Sequence, residues 1–168
     1  ANMTSSSNAD TLPNADAYYQ NFNIGVQNHS YGIEIQSFYG TQARAFDLSA
    51  NHNDQLLHVM SIGNAGLEQG SSGTYQSISG FGNITGNFKM AKNILTLGAV
   101  DRNGGVLAIS SRGPAYDGRV KPELVAYGEG GTSNATAITT GVTTLLQQAY
   151  KQQNSNQLPS ATLLKAIL

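Results

Sequence analysis

In the stretch GEGGTSNATAITTGV (residues 128–142), Ser133 follows two glycines and a threonine at the head of an amphipathic run. A serine so placed can do one of three things. It can cap a helix, since its hydroxyl accepts from backbone N–H groups that lack partners in the first turn. It can help hold an anion at the positive end of the helix dipole. Or it can be a nucleophile, because the same field favours an alkoxide or oxyanion. Two other segments end in similar polar, Gly-flanked tips: QNHSYG (27–32), with Ser30, and SIGNAG (61–66), with Asn64. The Asn64 amide suits the second part such chemistry needs, a fixed donor to a tetrahedral oxyanion.

These tips need elements to bring them together. IGVQNHS (24–30), LLHVMSIG (56–63), NILTLGAV (93–100) and ELVAYG (123–128) are short apolar runs that read as strands. Between them lie helical or loop patterns. ADAYYQNF (15–22) reads as a short helix, and TQARAFDLSANHN (41–53) places Ala43, Phe46, Leu48 and Ala50 near helical spacing. A long helix runs from Ser133 to about Tyr150, and a last one opens in PSATLLKAIL (159–168) with Ser160 as cap. Residues 1–16 read as a loop, and the Gly/Ser/Asn-rich stretch 66–88 as a long surface loop. Short apolar strands alternating with helices predict an α/β, doubly wound, mostly parallel sheet within one domain. In such a sheet, sites collect at the carboxyl ends of the strands, which puts Ser30, Asn64 and Ser133 on one crevice.

Composition removes several chemistries. The 168 residues contain no cysteine, so disulfides, thiolate catalysis and Cys-ligated zinc are excluded. A net charge of −1 with 11% charged residues offers no basic patch for nucleic acid or a membrane surface. No segment has the ~20 apolar residues of a membrane span. ANMTSSSNADTLPNAD (1–16) carries neither the basic nor the apolar region of a signal peptide. No spacing links His29, His52 and His58 as ligands, and no carboxylate pattern builds a calcium site of about six to eight oxygens. No metal is expected.

Four blocks, in one order, carry a resemblance. They are VQNHSYG (26–32), VMSIGNAG (59–66), AKNILTLGAVDRNGGVLAISSRGPAYDGRVKPELVAYG (91–128) and GTSNATAITTGVTTLL (131–146). Together they resemble the C-terminal half of a subtilisin-like serine protease (subtilase) catalytic domain, over roughly residues 18–168. The resemblance implies a secreted or cell-surface endopeptidase working through an acyl-enzyme. It implies that Ser133 is the nucleophile and that the Asn64 side chain and the Ser133 backbone N–H are the oxyanion donors. It implies a peptide or protein substrate flanked by Ser30, Tyr31, Gly32, Gly63, Gly131 and Thr132. Calcium accompanies many complete domains of the family.

The chain also departs from the family. A serine nucleophile needs a base and the base an orienting carboxylate. Subtilases carry the histidine in a His-Gly-Thr-His-type block, which is absent here. Only Glu129 and Gly130 stand between LVAYG and GTSNA, where the family has a longer segment. Leu163, Leu164, Ile167 and Leu168 continue an apolar face without a stop signal, which predicts a chain cut within a domain. The expected form is therefore a fragment lacking the catalytic Asp and His and inactive alone. The strand 24–30 would be a bare edge, paired with the absent half or with another copy. The alternative is a degenerate subtilase fold that binds without catalysis.

Overall fold

The computed structural model describes residues 16–70 and 72–168. The loop expected over 1–16 therefore lies, apart from Asp16, outside the described residues. The elements run α1 (Asp16–Asn21), β1 (Val26–His29), α2 (Thr41–His52), β2 (Leu57–Ser61), a 3-10 turn (Asn87–Met90), β3 (Leu95–Val100), β4 (Leu124–Tyr127), α3 (Thr132–Gln153) and α4 (Ala161–Ile167). The strands form one four-stranded sheet in the order β1-β2-β3-β4. All three pairings are parallel, with Val26 opposite Leu57, Val59 opposite Leu95 and Leu97 opposite Leu124. The α/β architecture is the one the alternating strand and helix patterns predict.

Side-chain alternation along the strands divides the core in two. Leu57 and Val59 of β2 join Leu95, Leu97 and Ala99 of β3 beneath Ala135 of α3 and Leu164 of α4. Met60 and Ile62 point the other way, into a cluster with Ala43 and Phe46 of α2 and with Ile84 and Phe88. Every residue of β2 is buried, which is why the segment reads as an unbroken apolar run rather than an alternating one. Burying each of its apolar side chains, Leu57, Val59 and Met60, contributes roughly 1.5–3 kcal/mol.

Helix α3 covers the sheet although threonine is a poor helix former. The Thr136, Thr139 and Thr143 hydroxyls donate to the carbonyls four residues back, at 2.7, 3.0 and 2.8 Å, so they can be buried without unpaired donors. In α4 the Ser160 hydroxyl accepts from the Leu163 N–H at 3.1 Å, the cap the sequence predicts. Three details differ from the sequence reading. The buried face of α2 is Gln42, Ala43, Phe46 and Ser49, while Leu48 is exposed. That stripe follows the i, i+4, i+7 rows, and Leu48 lies off it. Helix α3 begins at Thr132, not Ser133. And only part of the stretch 66–88 is surface loop: residues 82–88 are buried. They sink because Ile84 and Phe88 fill the α2-side core, while the buried Asn83 amide donates to the carbonyls of Ala65 and Glu68.

Candidate active site

A cleft of about 390 Å³ opens beside the carboxyl ends of β1 and β2 and the start of α3. Of the residues singled out from sequence, Ser30, Tyr31, Gly32, Gly63, Asn64, Thr132 and Ser133 line it. Gly131 does not, although a Cβ on it would lie 3.0 Å from the Asn64 amide. The crossover rule for parallel sheets thus brings three separate strand and helix tips to one place.

The arrangement is built by backbone as much as by side chains. Gly131 precedes α3 at φ +106°, and no side chain caps the helix. Ser133 therefore lies inside the first turn and is not the N-cap. The connection from β4 is short, closed by the Gly131 N–H donating to the Gly128 carbonyl at 2.6 Å. It still sets Thr132 against Asn64. The Thr132 N–H and the Thr132 hydroxyl both donate to Asn64 Oδ1, each at 3.0 Å. The Thr132 hydroxyl in turn accepts from the Gly63 N–H at 3.3 Å. With Oδ1 held in this way, the NH₂ end of the exposed Asn64 amide is the end left for a ligand in the cleft. On the opposite wall, the Ser30 hydroxyl donates to the Ser133 carbonyl at 3.3 Å and accepts from the Asn28 amide at 3.0 Å.

Among the described residues, no histidine lines the cleft. His52, at the end of α2, pairs with Asp16 at 3.1 Å. His29 and His58 lie beneath the cleft in a buried line: Tyr31 hydroxyl to His29 Nδ1 at 3.0 Å, His29 Nε2 to His58 Nδ1 at 3.1 Å, and His58 Nε2 to Ser49 Oγ at 3.2 Å. Burial pushes His29 down to about 3, with His58 adding to the effect, and pushes His58 down to about 4 against the opposing pull of Asp16. Both rings are therefore neutral, and one proton per ring suffices for a line of bonds running in a single direction.

The structure adds residues the sequence reading missed. Thr85 and Lys89 form the cleft floor, and Glu34 and Glu68 stand at its exposed rim. Thr85 and Lys89 sit in the stretch read as the end of a loop and the approach to a strand. No pattern in TGNFKMAK marks a buried lysine. Among the described residues, no group of three or more His, Asp or Glu side chains is placed to hold a metal ion. No helix among them is long and apolar enough to cross a membrane.

A parallel sheet whose cleft joins a helix-borne serine to a clamped asparagine defines a subtilisin-like α/β domain. The model of the subtilase family matches residues 1–168, and the chain belongs to that family. Among solved structures, the prenylagaramide maturation protease PagA matches with TM-score 0.67 and 22% identity, over 94% of this chain and 55% of that one. The self-cleaved protease domain of PatA matches with TM-score 0.67 and 24% identity, over 94% and 57%. The PatG macrocyclase in complex with peptide matches with TM-score 0.67 and 17% identity, over 92% and 46%. The chain thus spans about half the length of the structures it matches.

Proposed function

We propose that this chain carries the nucleophile half of a subtilisin-like serine endopeptidase site. Ser133 Oγ attacks the scissile carbonyl carbon while its proton passes to an imidazole base. The resulting oxyanion accepts from the Asn64 side-chain amide and the Ser133 N–H. The C–N bond then breaks, the leaving amine takes the proton from the base, and water hydrolyses the acyl-enzyme. The base and its orienting carboxylate come from outside these 168 residues, because the three histidines present are held elsewhere. The observation that carries the reading is the pair of 3.0 Å bonds by which Thr132 fixes Asn64 beside the nucleophile.

Two surface features favour a partner that completes the domain. Strand β1 has a sheet neighbour on one side only among the described residues. Ile138, Val142 and Leu145 leave an exposed apolar stripe on α3. The substrate class is an extended peptide against the Ser30–Gly32 wall, in keeping with the peptide named in the PatG complex. A secreted or cell-surface setting goes with this reading. The test joins the chain to a segment bearing the Asp and His blocks and treats it with a small fluorophosphonate. Covalent labelling mapped to Ser133 is expected; an unlabelled Ser133 in the assembled protein rejects the proposal. The missing base favours a second reading, a binding protein without catalysis, which Ser133-dependent peptide cleavage would exclude.

A further inference from the structure

The structure contains two lysines buried in very different ways. Lys121 Nζ lies 2.6 Å from Glu123 Oε1, so its charge is compensated. Lys89 is fully buried, yet among the described residues no carboxylate pairs with it. Its Nζ donates to the Thr85 hydroxyl at 2.8 Å and lies 5.5 Å from the Phe88 ring centre. An ammonium has three donors, and a buried cation with one neutral partner is an expensive arrangement unless something else supplies the counter-charge. Burial pushes Lys89 down to about 7.

The group sits on the floor of the cleft that Ser133 and Asn64 enter from the side. Thr85 Oγ1 stands between Lys89 and the open space, and two glycines keep it uncovered. A Cβ on Gly32 would lie 2.6 Å from Thr85 Oγ1 and 3.0 Å from Lys89 Nζ; one on Gly63 would lie 2.3 Å from Thr85 Oγ1. The hydroxyl accepts from Lys89, and its own proton has only the Ile62 carbonyl at 3.4 Å. It is a donor with its acceptor nearly unfilled.

We infer that the floor of the cleft is a carboxylate subsite, in which Thr85 and Lys89 receive the side chain of an aspartate or glutamate of the peptide, next to the bond presented to Ser133. This rests on the protease reading for the placement of the peptide, while the chemistry of the floor is independent of it. The other titratable groups facing the cleft are Tyr31, Glu34 and Glu68. The two rim carboxylates are exposed and screened by water, so the buried cation dominates the depth of the cleft.

The test separates binding from turnover. In the Ser133→Ala protein at pH 6, Kd is measured by fluorescence anisotropy for labelled Ala-Ala-Xaa-Ala amides with Xaa Glu, Gln or Lys. The Glu peptide is expected to bind at least about tenfold tighter than the Gln peptide, as for a charge-assisted hydrogen bond. Lys89→Met is expected to abolish that ratio. Gly32→Ala, which closes the approach to Thr85 without altering a charge, is expected to abolish it as well; thermal melts check that each variant is folded. Equal Kd values for Glu and Gln, a preference for Lys, a ratio unchanged by both variants, or no peptide binding at all overturns the inference. Fluorophosphonate labelling of the chain joined to the Asp- and His-bearing segment reads Ser133 separately, so labelling without a Glu preference rejects the subsite alone.

Discussion

Thr132 gives both of its donors to one oxygen of Asn64, each at 3.0 Å, although the two residues are 68 positions apart. Thr132, one residue before Ser133, the proposed nucleophile, thus sets the orientation of the Asn64 amide. This is a supporting contact, since Thr132 is itself buried. Thr132→Val keeps the N–H and loses the hydroxyl. In the chain joined to the Asp- and His-bearing segment, we expect it to slow fluorophosphonate labelling of Ser133 by roughly tenfold, the worth of one hydrogen bond to the donor group. Asn64→Leu removes the donor outright, and the expected loss is the hundred- to thousandfold typical of about 3–4 kcal/mol, a magnitude that belongs to subtilisin itself. Equal losses for the two variants would show that Thr132 does more than orient Asn64.

Gly131 is fixed by conformation and by space together. Its φ of +106° is one that residues with a Cβ rarely adopt, and a Cβ there would lie 3.0 Å from the Asn64 amide. Gly131→Ala is therefore expected to destabilise the fold by about 1–3 kcal/mol and to displace Asn64 from Thr132. A denaturant titration gives the first quantity, and the labelling rate at saturating probe gives the second. Unchanged labelling would mean that the loop relaxes without moving the amide.

Much of this arrangement was legible in the chain. The apolar runs 24–30, 56–63, 93–100 and 123–128 gave the strands, and the Gly-flanked tips beyond three of them marked the crevice. What was not legible depends on partners distant in sequence. Nothing nearby in TGNFKMAK marks the burial of Lys89, and nothing in GRVKPE (118–123) marks that of Lys121. The buried face of α2 contains Gln42 and Ser49, polar residues that become compatible with a core only once the Asn87 amide reaches Gln42 and the His58 ring, nine positions away from Ser49, reaches Ser49. Hydropathy alone favours Leu48, which is exposed.

The neutral pair His29 and His58 makes the fold sensitive to acid. Their folded values, about 3 and about 4, lie below the ordinary value of 6.5 through burial. The unfolded chain therefore binds protons that the native state does not. The stability they provide is complete above about pH 6.5 and declines as pH falls towards 3–4, by up to about 1.4 kcal/mol per pH unit for each ring. Melting temperature should fall steadily from pH 7 to pH 5. Imidazole NMR signals of these two rings should not titrate in that range while the protein is folded. A titration midpoint near 6.5 in the native state would contradict the burial argument.

Lys121 and Glu123 offer a case where removing a charge is worse than removing a pair. Lys121 is buried, and its ammonium contacts Glu123 Oε1 at 2.6 Å. Burial lowers Lys121 despite that carboxylate. For Glu123, burial acts upward, but the Lys121 charge and the bonds from Lys121 and Thr96 hold it below the usual carboxylate range. The other oxygen of Glu123 accepts from the Thr96 N–H at 2.7 Å and the Thr96 hydroxyl at 2.5 Å, tying the start of β4 to β3. Glu123→Gln leaves a buried cation without its counter-charge. Breaking a fully buried pair costs about 3–5 kcal/mol; the Glu123 side chain is 27% exposed, so about 2–3 kcal/mol is expected. Adding Lys121→Met to Glu123→Gln removes the orphaned charge and should recover most of that loss. Urea denaturation of the single and double variants measures both steps, and a double variant no more stable than Glu123→Gln would show that the Thr96 bonds, not the ion pair, hold the strands together.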